Sequence, residues 1–184
     1  MQKNINIINI NHFISLVPSF MLIVTMSKSY ITLSIEKDYI YLIILFFKRY
    51  TNTQFNYLSD ICGIDFPQKT SRFEIVYNLL SLPFNARLRI KTSIHELMSL
   101  NSLTLIFLSA SWFERELWDM LGIYFFEHFR LRRILTDYGF FGYPLRKEFP
   151  TSGFLEIRYN EQLQKISYEK IQFAFSSRFL NNLC

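Results

Sequence analysis

The chain has 184 residues, of which 50% are hydrophobic and 19% charged, so it can bury a core and is neither disordered nor low in complexity. Twenty Lys+Arg against fifteen Asp+Glu leave a net charge of +5, which permits contact with nucleic acid, an anionic membrane or an acidic partner and selects none of them. Two cysteines, Cys62 and Cys184, exclude a disulfide framework and fall short of the four thiolates of an iron–sulfur cluster or zinc ribbon. Ile, Phe, Asn, Tyr and Lys are abundant, whereas alanine occurs only at Ala86, Ala110 and Ala174. The abundant set has A/T-heavy codons, a bias that points to an AT-rich, organellar genome. The first arginine is Arg49 and no Arg-rich import signal is visible, which fits a protein made where it works.

In chain order, residues 1–29 are expected to form a helical segment. The apolar stretch 13–26 is shorter than the roughly 20 residues a spanning helix needs. It is interrupted by Pro18, which favours a packed helix with a proline break. The next stretch, 30–127, reads as an α+β core domain. YITLSIE (30–36) alternates as a half-buried strand. Asp38 is placed to cap the buried helix YIYLIILFFKRY that follows. RFEIVYNLL (72–80) and RLRIKT (87–92) flank a Pro- and Asn-containing turn and read as a hairpin. A helical stretch is expected from about Ser99. A second hairpin, FLEIRY (154–159) with KISYEK (165–170), closes an extended basic and aromatic arm spanning 128–184. Strands and helices alternate without a βαβ rhythm, so the class is α+β: a mixed or antiparallel sheet, packed helices and an extended C-terminal arm.

SWFERELWDMLG (111–122) is the most legible segment. Ser111 and Glu114 have capping-box spacing, and Gly122 is placed to end the helix left-handed. Phe113, Leu117, Met120 and Leu121 form an apolar stripe. Glu116 and Asp119 are expected on the polar side, with Arg115 reaching Asp119 at i+4. Two carboxylates joined by His128 suit general acid–base work or metal ligation; the favoured reading is a solvated or ion-paired helix face with a core or loop histidine beside it. HELMS (95–99) lacks the second histidine of a zinc-protease motif, and no phosphate loop, nucleophile elbow or dinucleotide fingerprint occurs.

In HFRLRRILTDYGFFGYPLRKEFPTSG (128–153), Arg130, Arg132, Arg133, Arg146 and Lys147 stand among six aromatics: Phe129, Tyr138, Phe140, Phe141, Tyr143 and Phe149. Aromatic plus Arg is the composition of interface hot spots. The same mixture suits single-stranded nucleic acid, or a long loop packed on its own core.

The run ERELWDMLGIYFFEHFRLRRIL (114–135) resembles the hallmark of the 30 kDa subunit of respiratory complex I, the proton-translocating NADH:ubiquinone oxidoreductase. The family pattern falls on Glu114, Arg115, Glu116, Asp119, Met120, Leu121, His128, Arg132 and Arg133. LTDYGFFGYPLRKEFP, SGFLEIRY, LSDICGIDFP (58–67) and RFEIVYNLLSLPFNARLRIKT (72–92) resemble further blocks of that family, in order. Phe129, Tyr143 and Glu148 depart from its usual Pro, His and Asp, and the sequence ends at Cys184, where relatives commonly continue. The resemblance implies a subunit without an active site or cofactor of its own, in the peripheral arm on the matrix side of the mitochondrial inner membrane. Iron–sulfur clusters, FMN and ubiquinone would belong to partner subunits. It further implies a hetro-oligomer packed against the 49 kDa-type quinone-site subunit and adjacent iron–sulfur subunits, binding no nucleic acid and reaching the membrane through the complex. Its interface would draw on Glu114, Arg115, Glu116, Asp119, His128, Arg130, Arg132, Arg133, Tyr138, Arg146 and Lys147. The alternatives are an organellar ribosomal or RNA-binding protein, and a stand-alone acid–base or metal enzyme using Glu116, Asp119 and His128.

Overall fold

A computed structural model describes residues 21–26 and 31–172. Alternating apolar residues build a five-stranded sheet from β1 (Met21–Met26), β2 (Ile31–Ile35), β3 (Tyr57–Asp65), β4 (Phe73–Ser81) and β5 (Ala86–Ile94). Its order is β1-β2-β5-β4-β3. β2 and β5 are parallel (Leu33 opposite Ile90), and the other neighbours are antiparallel (Tyr77 opposite Ile90, Ile61 opposite Tyr77). The sheet is therefore mixed and the class α+β.

One face of the sheet is buried through Leu33 and Ile35, Ile61, Phe73, Ile75, Tyr77 and Leu79, and Leu88 and Ile90. Helix α1 (Ile40–Arg49) adds Ile40, Ile43, Ile44 and Phe47, spaced i, i+3, i+4 and i+7 along one apolar stripe. Its end is secured by the Thr53 hydroxyl, which donates to the Phe47 carbonyl at 2.9 Å. Helix α2 (Ala110–Leu121) crosses β3 at Gly63, where a Cβ would sit 2.4 Å from a Leu121 methyl and 2.9 Å from one of Leu117. A side chain at residue 63 would hold the helix off the sheet. Two short strands, β6 (Leu100–Asn101) and β7 (Phe125–Phe126), pair in parallel on either side of α2 in sequence. Among the described residues no helix is long and apolar enough to cross a membrane.

Several local expectations need correction. Residues 21–26 form β1 rather than part of the helical segment expected over 1–29; pairing with β2 prevails, and Ile23, Val24 and Thr25 are β-branched. Residues 13–20 lie outside the described residues. Asp38 does not cap α1: a 3₁₀ turn, Lys37–Tyr39, leads into the helix, and its N-cap, Tyr39, makes no side-chain cap. The helix expected from Ser99 begins at Ala110, because backbone N–H groups of β6 and Ser102 bond to the carbonyls of Tyr124 and Phe126. The Ser111–Glu114 capping box is not formed. Tight turns give the amides of Ala110, Ser111 and Trp112 backbone acceptors at Phe107, Leu108 and Ser109, and Glu114 turns into the core.

The chain divides into two compact units, Met1–Lys147 and Glu148–Cys184. The boundary expected between 127 and 128 thus falls inside the first unit, since hydrogen bonds from 128–147 close onto α2 and β3. In the second unit β8 (Leu155–Asn160) and β9 (Lys165–Lys170) form an antiparallel hairpin. The Asn160 side chain accepts the N–H groups of Gln162 and Leu163 at its turn. Leu155, Ile157, Tyr159, Ile166 and Tyr168 of this hairpin are exposed.

Candidate functional site

The chemistry-bearing residues of 111–147 are organised by α2. The chain after β7 runs beside the helix from its start to its end. It is held successively at Ser111 by His128, at Arg115 by Arg132, at Asp119 by residues 133–136, and at Leu121 by Arg146. Positions 111, 115 and 119 recur every four residues, so they form one stripe, and that stripe is the seat of the arm.

Asp119 is the central fastening. Its side chain is fully buried. One carboxylate oxygen accepts the N–H groups of Ile134, Leu135 and Thr136 at 3.1, 2.7 and 2.9 Å. The other accepts the Thr136 hydroxyl at 2.6 Å and an Arg133 guanidinium N–H at 3.2 Å. Burial alone would push this carboxyl's pKa up; the bonds from Thr136, Leu135 and Ile134 outweigh it and hold the value below 3.8. Arg133 also donates to the Gly142 carbonyl at 3.0 Å and so draws the later part of the arm to the same point.

A second fastening joins the far end of the arm to the sheet. Asp65 receives a two-pronged contact from Arg72, at 2.8 and 3.0 Å, and the Lys147 backbone N–H at 2.8 Å. The Arg72 bond holds the Asp65 carboxyl low against the opposing effect of burial. Glu96 bridges Arg72 and Arg146, and burial, which would raise its pKa, is outweighed by those two guanidinium groups. Arg146 further donates to the Leu121 carbonyl at 2.7 Å, a cationic cap on the negative end of α2. Gly122, at φ +77°, takes the left-handed turn there, and its N–H reaches the carbonyls of Leu117 and Trp118. The Tyr143 ring lies 2.6 Å from where a Cβ would be. The guanidinium groups of Arg133 and Arg146 lie 5.1 and 4.5 Å from that ring's centre.

Glu114 is buried in a polar pocket of its own, accepting the Ser102 hydroxyl at 2.6 Å and the Leu103 N–H at 2.7 Å. Burial pushes its pKa up to about 7, against the effect of those two bonds. It therefore ties the β6 turn to α2. His128 accepts the Arg130 N–H at Nδ1, which leaves Nε2 as the donor toward the Ser111 carbonyl at 3.3 Å. Burial lowers its pKa, and the nearby Arg115 acts in the same direction.

The expected side chains thus separate by role. Glu114, Asp119, Arg133 and Arg146 face inward as fastenings; Lys147 contributes its backbone N–H; Glu116, Arg130, Arg132 and Tyr138 are exposed. Arg115 does not serve Asp119 on a polar face as expected; its guanidinium donates to the Arg132 carbonyl and lies 5.1 Å from the Trp112 ring. Asp119 cannot join Glu116 and His128 as a ligand or base, because both its oxygens are already committed to donors from the arm. Sequence reasoning missed Asp65, Arg72, Glu96 and Ser102. The signal for Asp65 was available: it ends β3 on the side of Leu58 and Ile61, and a carboxylate in an apolar row needs a cationic partner.

The chain matches the family model described as respiratory-chain NADH dehydrogenase, 30 Kd subunit, over residues 33–155. It is 46% identical over 155 residues to NADH-ubiquinone oxidoreductase subunit 9 of Reclinomonas americana, covering 84% of this chain and 76% of that one. To NADH dehydrogenase (ubiquinone) iron-sulfur protein 3 of Arabidopsis thaliana it is 46% identical over 144 residues, 78% of this chain and 76% of the relative. Among solved structures, it superposes with a TM-score of 0.64 on a chain of the membrane-bound sulfane sulfur reductase, an archaeal respiratory membrane complex. That match covers 77% of this chain and 84% of the other at 21% identity, a likeness of fold.

Proposed function

This chain belongs to the 30 kDa subunit family of respiratory-chain NADH dehydrogenase, and we propose that within that enzyme it is a brace without an active site of its own. The observation that carries this reading is the rigid outward display of aromatics on a fastened arm. Tyr138 and Phe141 are 96% and 85% exposed, yet the segment bearing them is anchored at Asp119, Gly142 and Asp65. Large apolar rings held in water on an ordered backbone are what a docking surface requires: the ordering entropy is already spent before a partner arrives. The C-terminal hairpin adds to this, since a two-stranded hairpin by itself is marginal in water, and Ile157, Tyr159, Ile166 and Tyr168 of this one are exposed.

The cysteines do not fit an iron–sulfur cluster. A four-thiolate cluster needs more sulfur than Cys62 and Cys184 supply, and the Cys62 thiol is kept protonated, its pKa raised to about 11 by burial and by Asp60. We assign the iron–sulfur clusters, and with them FMN and ubiquinone, to partner subunits, and this chain's contribution to turnover is positional. The 49 kDa-type subunit and adjacent iron–sulfur subunits are the assigned neighbours, on the matrix side of the mitochondrial inner membrane. Nothing among the relatives favours an RNA-binding role. Native fractionation of detergent-solubilised inner membranes tests the reading. The chain is expected to migrate with NADH-oxidising activity, and its appearance only as a free monomer would refute the proposal.

A further inference from the structure

The start of α2 carries a surface that the fastenings do not use. Leu105 and Leu108 project from the turns before the helix, Leu108 being 88% exposed, and Trp112 follows at 64%. The exposed Phe129 is brought to the same end of the helix, because His128, on which its ring stacks at 5.8 Å, bonds to the Ser111 carbonyl. Beside this apolar ground stand two arginines. Arg115 donates to the Arg132 carbonyl at 3.3 Å, and the two guanidinium groups are close enough for Arg132 to help lower the Arg115 pKa, after burial. Among the described residues no carboxylate forms an ion pair with Arg115 or Arg132. Three other arginines of the same unit are matched to acids, Arg72 to Asp65 and Glu96, Arg133 to Asp119 and Arg146 to Glu96.

We propose that the Leu108–Trp112–Phe129 surface with Arg115 and Arg132 docks an acidic, apolar-faced polypeptide segment of a neighbouring subunit, whose carboxylates complete the two arginines. The chemistry singles out that occupant. Two like charges set side by side beside an indole ring are compensated by carboxylates received in forks, and the aliphatic and indole ground takes an apolar face. A second copy of this chain would bring the same uncompensated arginines against these, at a net charge of +5 per chain. RNA would satisfy the charges, but Leu105 and Leu108 offer its bases no planar ring to stack on. The inference rests on the brace reading and specifies one of its contacts.

The test uses the assembled enzyme. A photoreactive phenylalanine analogue replaces Leu108, the enzyme is irradiated after native isolation, and the cross-linked peptide is sequenced. The expected product is a segment of another subunit with Asp or Glu within a few residues of an apolar cross-linking position. Arg132→Glu is expected to weaken retention of the subunit roughly tenfold, the loss typical of one interface anchor. Exchanging the identified partner acid for Lys should restore retention. A cross-link to a second copy, to RNA, to lipid or to a segment without acids overturns the proposal, as does an enzyme carrying Arg132→Glu with unchanged retention. In each of those cases the chain still co-migrates with NADH oxidation, so the brace reading survives; if the unmodified chain itself fails to co-migrate, that reading falls instead.

Discussion

Replacing Asp119 isolates the fastening of the arm from the stability of the sheet. Asp119→Ala removes the acceptor of three backbone amides, one hydroxyl and one guanidinium in a site with no solvent access. Stripping a buried ionic partner of this kind destabilises by about 3–5 kcal/mol, because the abandoned donors remain desolvated. Asp119→Asn is milder. With its carbonyl toward the three amides, the Thr136 hydroxyl can rotate to accept from the new amide N–H, and the ion pair with Arg133 is the main loss, ~2 kcal/mol. The assay is hydrogen exchange at the amides of Ile134, Leu135 and Thr136 together with limited trypsin cleavage after Arg130, Arg132 and Arg133. Both should rise by one to three orders of magnitude in the order Asn then Ala, while exchange at Ile75 and Ile90 in the sheet changes far less. The pH dependence has a definite sign. A carboxyl held below 3.8 in the folded chain contributes stability that is complete above that value and is lost as pH falls through the folded pKa. Arm protection in the unsubstituted protein should therefore collapse in acid, with a flatter acid limb in Asp119→Asn. Equal protection of the three amides in Asp119→Ala would refute the whole account of the arm.

Further outcomes follow from the same geometry. Glu114 has the opposite sign: its pKa is raised from 4.5 to about 7, so its contribution is complete below 4.5 and is lost as pH climbs through 7. Glu114→Gln should flatten that decline, worth at most ~3 kcal/mol, and urea melts at pH 5 and pH 8 would show it; an unchanged decline would mean the carboxyl ionises freely. Tyr77→Phe should be neutral or stabilising by up to about 1 kcal/mol, because the buried Tyr77 hydroxyl has no hydrogen-bond partner among the described residues; a melting temperature lowered by several degrees would contradict this. Gly122→Ala should destabilise by ~2 kcal/mol, combining a left-handed backbone with a methyl driven into the Tyr143 ring; a melt that matches the unsubstituted protein would contradict it.

What could be read from residues alone was whatever is local. Alternation located β2, β4, β5, β8 and β9, and Pro and Asn marked the β4–β5 turn, because side-chain period and turn chemistry act within a few residues. Gly122 announced the end of α2 for the same reason, and the spaced run 114–135 carried the family. The roles inside that run were not local. A helical wheel put Asp119 beside Glu116 on a wet face, and capping-box spacing paired Glu114 with Ser111. Tertiary structure turned both carboxylates inward, since the donors that make their burial tolerable come from elsewhere: Ser102 and Leu103 before the helix, and Arg133 to Thr136 after it. Whether a charge on a helix faces water or the interior is decided by what arrives to meet it. The stripe Ser111, Arg115, Asp119 was written in the chain, but only the folded arm lying along it made that stripe a seat.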